Sequence, residues 1–482
     1  MVDFRPVLFV IGLLLSTLAV AMVLPAIVDA AAGHADWQVF LAAAGVTLFV
    51  GVAFVLMTRG SNLAIDIRQA FVLTAAAWVS TCVFGALPFA FSDLGLSYAD
   101  AFFEATSGVT TTGSTVIVGL DKAPPGILLW RALLQWLGGI GLIVMAVALL
   151  PMLQVGGMQL FRTEGRDTAE KVLPRAAQIA VGTGVVYLVL SVACTFLYWL
   201  GGMGGFDAMT HAMATLSTGG YSTSDSSLGK FSTPFIDIVA VVFMIAGALP
   251  FVLWLQVARG RPAALWRDRQ VQAFAGILAA FVATLAILLW FHSDRTLLNA
   301  LRVSAVNLVS IVTTTGFATE DYTLWGPFAV TIFFVATFLG GCSGATTGGL
   351  KIFRIQVLYA ASSAQLKRLL RPHGVFIPTF NRRPIGDDVA TSVLSFFFLY
   401  MLTFAAMAIA LAALDLDMIT AVSASATALG NVGPGLGTIV GPAGTFAPLP
   451  DTAKWILSAG MLVGRLELFT VMVLLAPAFW RN

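Results

Sequence analysis

The sequence predicts an all-α polytopic membrane protein: four tandem helix, pore loop, helix repeats around a pseudo-fourfold pore, preceded by two extra transmembrane helices. Three observations carry this expectation. The 482 residues are 59% hydrophobic and 10% charged, where a soluble domain has about 25% charged residues, and the mean hydropathy is +0.92. Apolar runs of about 20 residues recur, the length a helix needs to cross ~30 Å of hydrocarbon, whereas a closed barrel would show short alternating strands. Four short segments ending in glycine lie between paired runs.

Two leading spans are expected at roughly 6 to 31 and 37 to 57. Further runs lie near 70 to 92, 125 to 155, 176 to 200, 233 to 257, 271 to 292, 325 to 362, 394 to 414 and 453 to 478. The first begins at Pro6 behind a very short head with no cleavage-site pattern, so it reads as a retained span. The implied division is residues 1–62 for the leading helices, then 63–165, 166–262, 263–375 and 376–482 for the four repeats.

Charge sets the topology. Arg59 and Arg68; Arg162, Arg166, Lys171 and Arg175; Arg259, Arg261, Arg267 and Arg269; and Lys367, Arg368, Arg371, Arg382 and Arg383 fall on alternate connections, which the positive-inside rule places in the cytoplasm. The other connections carry Asp93, Asp100, Asp207, Asp225, Glu320, Asp321, Asp415 and Asp417. There they would concentrate cations, or simply form solvated polar loops.

The glycine-ended segments are Val109-Thr110-Thr111-Thr112-Gly113, Leu216-Ser217-Thr218-Gly219-Gly220, Val312-Thr313-Thr314-Thr315-Gly316 and Leu429-Gly430-Asn431-Val432-Gly433. A cation crossing a bilayer needs oxygens to replace its water, and rings of backbone carbonyls supply them. Glycine permits the backbone angles that turn carbonyls toward an axis. Six residues before each final glycine stand Ser107, Ala214, Ser310 and Thr427, and twelve before stand Ala101, Ala208, Ser304 and Ala421. All eight are small, which lets a short pore helix pack closely between its flanking spans. About 11 residues of helix rise only ~16 Å, half a bilayer, with the negative end of the helix dipole toward the membrane centre. A lone Thr-Thr-Gly would read as ordinary packing. Four matched segments between paired spans read as a filter, because irregular backbone at membrane depth is tolerated only inside protein or along a water-filled path.

Two further features stand out. The run Gly340-Gly341-Cys342-Ser343-Gly344-Ala345-Thr346-Thr347-Gly348-Gly349-Leu350-Lys351 interrupts the apolar stretch between Trp325 and Ser362; glycine costs about 1 kcal/mol per helical position against alanine, so no regular helix passes through it. It lacks the order of a nucleotide-binding P-loop, since Leu350 separates Gly349 from Lys351. Arg465 sits within an apolar span and must face protein or water. Glu467, two positions on, points elsewhere on a helix, which leaves an acidic residue of another repeat as the rival partner. Cys82, Cys194 and Cys342 show no paired spacing, and His34, His211, His292 and His373 are too scattered for a metal cluster. Nothing in the chain suggests nucleic acid as a partner. The residues therefore favour an ion-conducting protein over a secondary carrier for a small organic solute, whose site usually lies between inverted halves. A membrane enzyme is disfavoured by the lack of a nucleophile and base cluster.

The strings Phe103-Glu104-Ala105-Thr106-Ser107-Gly108-Val109-Thr110-Thr111-Thr112-Gly113, Ser217-Thr218-Gly219-Gly220-Tyr221-Ser222, Asn431-Val432-Gly433-Pro434-Gly435-Leu436-Gly437 and Gln135-Trp136-Leu137-Gly138-Gly139-Ile140-Gly141 resemble the TrkH subunits of bacterial Trk potassium uptake systems, within the Trk/Ktr/HKT superfamily. The likeness covers almost the whole chain from about residue 70, and the two leading helices suit TrkH better than the shorter KtrB proteins. The resemblance implies a multi-pass protein of the bacterial inner membrane that takes up K+ and also passes Rb+, with no cofactor in the chain. It implies a K+ filter of Thr111, Thr112, Gly113, Thr218, Gly219, Gly220, Thr314, Thr315, Gly316, Asn431, Val432 and Gly433, with Gly430-Asn431-Val432 departing from the threonine pattern. It implies a gate in Gly340, Gly341, Ser343, Gly344, Gly348, Gly349 and Lys351, with Arg465 repelling ions below the filter. It also implies a homodimer that binds a cytosolic TrkA-like nucleotide-binding subunit, for which Lys367, Arg368 and Arg371 are candidate contacts, although anionic lipid would suit them equally.

Overall fold

The computed structural model describes residues 3–60, 65–148, 169–381 and 383–481. Arg162, Arg166 and Arg382, three of the cations used to assign topology, lie outside the described residues, as does the far end of the run expected to reach residue 155.

Apart from a two-residue antiparallel ladder, Thr379–Phe380 with Arg383–Pro384, the described elements are helices. Seven are long and apolar enough to cross a membrane: Arg5–Ala32, Trp37–Met57, Ile67–Phe91 (broken briefly at Ala86), Pro125–Met145, Gln178–Leu200, Arg269–His292 and Asp387–Ala412. The leading pair packs along its length through mutual glycine contact. A methyl on Gly12 would meet the Gly51 carbonyl oxygen at 2.7 Å, and one on Gly51 the Gly12 carbonyl at 2.9 Å. The pair is tied to the rest of the chain by Asp29, whose carboxylate accepts from the Gly126 N–H at 2.6 Å, capping the helix Pro125–Ala148 from another element.

The four short helices expected before the glycines are present at Tyr98–Val109, Gly205–Leu216, Leu297–Val312 and Met418–Gly430. Three start on side-chain caps: Ser97 accepts from the Asp100 N–H, Thr296 from the Asn299 N–H and Asp417 from the Thr420 N–H, each satisfying an otherwise orphaned donor. Several acidic residues expected to line a polar face are thus bound into local structure. Asp225 accepts from the Gly119 and Leu120 N–H groups, and Glu320 forms a bidentate pair with Arg295 at 2.6 and 2.7 Å. The small residues six and twelve positions before each glycine are fully buried.

Two expected spans are not continuous. The run at 233 to 257 breaks into Pro234–Ala248 and Phe251–Ala258, bent by 103°. Pro250 has no N–H and forces the residue before it out of the helical region; Leu249 is extended at φ −91°, ψ 154°. The run at 453 to 478 breaks into Asp451–Arg465 and Leu468–Leu475, bent by 111°, with Glu467 left-handed at φ 64° between them. Arg465 is therefore the last residue of a helix rather than mid-span. The stretch from Trp325 to Ser362 is split, as its glycines require, into Pro327–Phe338 and Ile352–Leu370.

Candidate functional site: a ring of four glycine loops

Each short helix ends in the same turn. The carbonyl six residues before the final glycine accepts from the N–H of the residue just before that glycine: Thr112 to Ser107, Gly219 to Ala214, Thr315 to Ser310 and Val432 to Thr427, at 2.8, 2.8, 2.8 and 3.0 Å. Two residues before each glycine the backbone is left-handed, with φ 53° at Thr111, 52° at Thr218, 55° at Thr314 and 54° at Asn431. The glycines themselves lie at φ 91°, 74°, 86° and 110° for Gly113, Gly220, Gly316 and Gly433. Threonine seldom adopts this region and asparagine does so readily. Asn431 thus keeps the fourth loop in register with the other three despite its different sequence.

The loops close into a cycle. A Cβ on Gly113 would strike the Gly219 carbonyl oxygen; on Gly220, that of Thr315; on Gly316, that of Val432; and on Gly433, that of Thr112 at 2.8 Å. Every loop thus abuts the next, first to second, second to third, third to fourth and fourth to first, and each contact requires the absence of a side chain. The Ser114 hydroxyl adds a bond to the Gly433 carbonyl at 2.8 Å. The four loops are buried except at Gly113 and Gly316, which are half-buried, no charged residue belongs to them, and no metal-ligating cluster of His, Cys, Asp or Glu occurs among the described residues. A closed cycle of neutral backbone carbonyls is chemistry suited to a dehydrated monovalent cation.

Glycines in the helices Pro125–Ala148, Pro234–Ala248 and Asp451–Arg465 bring those helices onto the loops. Gly138 lies against the Val109 carbonyl, Gly247 against that of Leu216 (2.9 Å to a built Cβ) and Gly464 against that of Leu429, in each case the residue four before the ring glycine. A buried polar network braces the first two loops. Arg131 Nε donates to Glu104 at 2.8 Å, its Nη1 donates to the Ser222 carbonyl at 2.7 Å, and its guanidinium stacks 3.9 Å from the Tyr221 ring centroid. Glu104 also accepts from the Val116 N–H at 2.9 Å, and the Tyr221 hydroxyl donates to the Glu104 carbonyl at 2.8 Å. Gln135 lies one helical turn beyond Arg131 and bonds to Gly219 and Tyr221. Charge and hydrogen bonding are matched throughout, which a buried ion pair requires.

The Gly340–Lys351 segment packs directly on this assembly. The Gly348 N–H donates to the Thr314 hydroxyl at 2.8 Å, the Thr346 hydroxyl bridges the carbonyls of Leu216 and Gly247 at 3.1 and 2.9 Å, and a Cβ on Gly348 would strike the Gly430 carbonyl. The bend at Pro250 serves the same loop: the Ala248 carbonyl accepts from the Cys342 N–H at 3.0 Å, the Gly247 carbonyl accepts from the Thr346 N–H at 3.1 Å, and the Phe251 N–H donates to the Gly344 carbonyl at 3.0 Å. Lys351 Nζ donates to the Thr347 carbonyl and hydroxyl.

Ser343, Gly344, Gly348, Gly349, Lys351 and Arg465 line one cavity of ≈ 30 Å³, room for a water or two, together with Arg354 and Glu467. Gly340 and Gly341 instead form the root of the segment, where the Gly340 N–H donates to the Leu350 carbonyl at 2.9 Å. Arg465 is buried, and none of its three side-chain nitrogens has a hydrogen-bond partner among the described residues. The acidic partner from another repeat that the sequence left open is thus absent among them. Arg354 instead pairs with Glu467, at 2.5 Å, and this pair anchors the left-handed break that leaves Arg465 at a helix end.

The ring brings together all twelve residues expected to form it, and the cavity gathers six of the eight in the second set. Sequence reasoning missed Arg131 and quoted Gln135 without giving it a role; their signal was two polar residues one turn apart in an apolar helix. It also missed the Pro250 break and the Arg354–Glu467 pair.

The family model for TrkH, described as a cation transport protein, matches residues 37–482. The chain is 44% identical to the Trk system potassium uptake protein TrkI of Halomonas elongata over 479 residues, 99% of this chain and 97% of that protein. It is 38% identical to the Trk system potassium uptake protein TrkH of Salmonella typhimurium over 99% of this chain and 100% of that one. The crystal structure of the potassium transporter TrkH from Vibrio parahaemolyticus superposes with a TM-score of 0.92 at 36% identity, covering 100% of both chains.

Proposed function

The chain belongs to the TrkH family of cation transport proteins, and from that membership we propose that the ring of Gly113, Gly220, Gly316 and Gly433 is the K+ filter of an uptake pore in the bacterial inner membrane. The observation that carries this reading is the cyclic contact of the four loops, each glycine abutting a carbonyl of its neighbour. Such packing crowds carbonyls about one axis, where they replace the hydration shell of K+ or Rb+. Thr111, Thr112, Thr218, Gly219, Thr314, Thr315, Asn431 and Val432 supply the rest of the wall.

The Gly340–Lys351 segment, docked against the second, third and fourth loops, acts as the gate, and Arg465 places a positive charge in the cavity below. An ion leaving the filter meets both. Opening requires the segment to give up its bonds to Thr314, Leu216 and Gly247. The residue blocks 1–62, 63–165, 166–262, 263–375 and 376–482 correspond in this reading to a leading helix pair and four pore repeats. The working unit is a homodimer controlled by a cytosolic TrkA-like nucleotide-binding partner.

The test is rubidium-86 uptake into liposomes containing the purified chain, with K+, Na+ and an organic cation as competitors. Uptake blocked by K+ and little by Na+, with that preference weakened in Gly113→Ser, supports the filter. Uptake equally sensitive to all three would refute it and favour a carrier.

A further inference from the structure

One position breaks the symmetry of the ring. The residue before each ring glycine is Thr112, Thr315 and Val432 in three loops, but Gly219 in the second. Gly219 has no left-handed φ, so its backbone does not demand glycine. The Gln135 amide demands it for as long as it holds its place: a Cβ there would lie 2.6 Å from Oε1 and 2.7 Å from Nε2 of Gln135. The Gln135 amide occupies the volume a side chain at 219 would fill.

We propose that Gln135 is a selectivity-setting positioning residue, which replaces from the inner helix Pro125–Ala148 the bracing that threonines give the first and third loops. This rests on the ring being the filter. In those loops the braces are internal: the hydroxyls of Thr110 and Thr112 bond at 2.7 Å, and those of Thr313 and Thr315 at 2.8 Å. In the fourth, Asn431 Nδ2 donates to the Thr112 hydroxyl at 3.0 Å. The second loop has no such bond at this level. Instead Gln135 Nε2 donates to the Gly219 carbonyl at 2.6 Å, and Oε1 accepts from the Tyr221 N–H at 3.0 Å. The amide therefore straddles Gly220, gripping the residue on either side. Its orientation is determined, since a backbone N–H can only donate and so must face Oε1.

The contact also makes the ring electrically uneven. The Gly219 carbonyl oxygen is the one that abuts Gly113, and it carries a buried side-chain donor. Among the described residues, the equivalent carbonyls of Thr112, Thr315 and Val432 accept from no side chain. A donor on one of four oxygens draws part of its lone-pair density from the axis and limits its swing toward a smaller ion. Three oxygens respond freely to the ion and the fourth is tethered.

The experiment is a double-mutant cycle of Gln135→Ala and Gly219→Thr, reading the K+ over Na+ preference in rubidium-86 competition. Each single variant should lower the preference about fivefold, the equivalent of one ordinary hydrogen bond. The double variant, in which the threonine introduced at 219 can pair with the Ser217 hydroxyl as Thr112 does with Thr110, should return to within about twofold of wild type. A double variant that loses about 25-fold, the product of the singles, overturns the proposal. Gln135→Met, which keeps the volume without either polar contact, is the second arm. Retained total flux with a reduced preference supports the proposal, and an unchanged preference overturns it. Wild-type uptake that does not prefer K+ overturns the filter reading and this inference together, whereas K+-preferring uptake without coupling overturns this inference alone.

Discussion

Replacing Arg465 with methionine should open the pore and leave the protein at least as stable. The guanidinium shares a ≈ 30 Å³ cavity with Gly348 and Gly349, and its neighbour Gly464 lies against the Leu429 carbonyl at the base of the fourth loop. At ~8 Å separation and an effective dielectric of ~20, a guanidinium repels a monovalent cation by about 2 kcal/mol, roughly 30-fold in occupancy. Removing it should raise rubidium-86 flux by about that factor, with the K+ over Na+ preference unchanged because the ring is untouched. The stability effect carries the opposite sign from most core substitutions. Arg465 is buried without a hydrogen-bond partner among the described residues, and its guanidinium lies 6.0 Å from the Trp78 ring centroid, a contact worth about 1–2 kcal/mol that only partly offsets the several kcal/mol a desolvated charge costs before relaxation. A methionine of similar length should therefore maintain or raise the thermal midpoint in detergent. Arg465→Lys, which keeps the charge, should stay near wild-type flux. Unchanged flux in a folded Arg465→Met protein, or a midpoint lowered by several degrees, would show that the arginine holds structure instead of restraining ions.

Three other perturbations follow from the same geometry. Gly348→Ala drives a methyl into the Gly430 carbonyl and to within 2.8 Å of the Asn431 Cβ; if the Gly340–Lys351 segment gates the pore as proposed, displacing it should raise flux several-fold at constant selectivity in the same liposome assay. Glu104→Gln removes the charge that balances buried Arg131; denaturation should show a loss of about 3 kcal/mol, along with weaker ion discrimination as the first and second loops loosen. Lys230 holds the Asp121 carboxyl below its ordinary value of 3.8. That contribution is complete above pH 3.8 and is lost as pH falls through the lowered value; because both side chains are at least 40% exposed, Asp121→Asn should cost under about 1 kcal/mol at pH 7 and progressively less as pH falls below 3.8, measured by thermal scans.

Hydropathy made the spans and their pairing legible, because a 20-residue apolar run has few alternatives to a membrane helix. The ring was legible for a different reason: its four loops repeat one backbone conformation, which the Thr and Gly spacing announces three times and Asn431 once. What escaped were features made by contact between elements distant in sequence. Pro250 was visible as a proline in an apolar run, yet its purpose emerges only when the Gly247 and Ala248 carbonyls meet the backbone of Thr346 and Cys342. Glu467 was rightly excluded as a local partner of Arg465, but Arg354, 113 residues away, could not be singled out by spacing. The glycines Gly138, Gly247 and Gly464 resembled general packing residues until each was found against the carbonyl four before a ring glycine. Gln135 is the clearest case, since its meaning depends on a side chain missing from Gly219.

The central claim is that a dehydrated K+ ion sits on the axis of the four glycine loops. Crystals of the protein grown in rubidium chloride and measured at the rubidium absorption edge test it directly. The account predicts anomalous peaks on the axis beside Gly113, Gly220, Gly316 and Gly433, diminished when K+ replaces Rb+ and lost in Gly113→Ser. Rubidium bound elsewhere in the protein, with the axis free of anomalous signal, would contradict it.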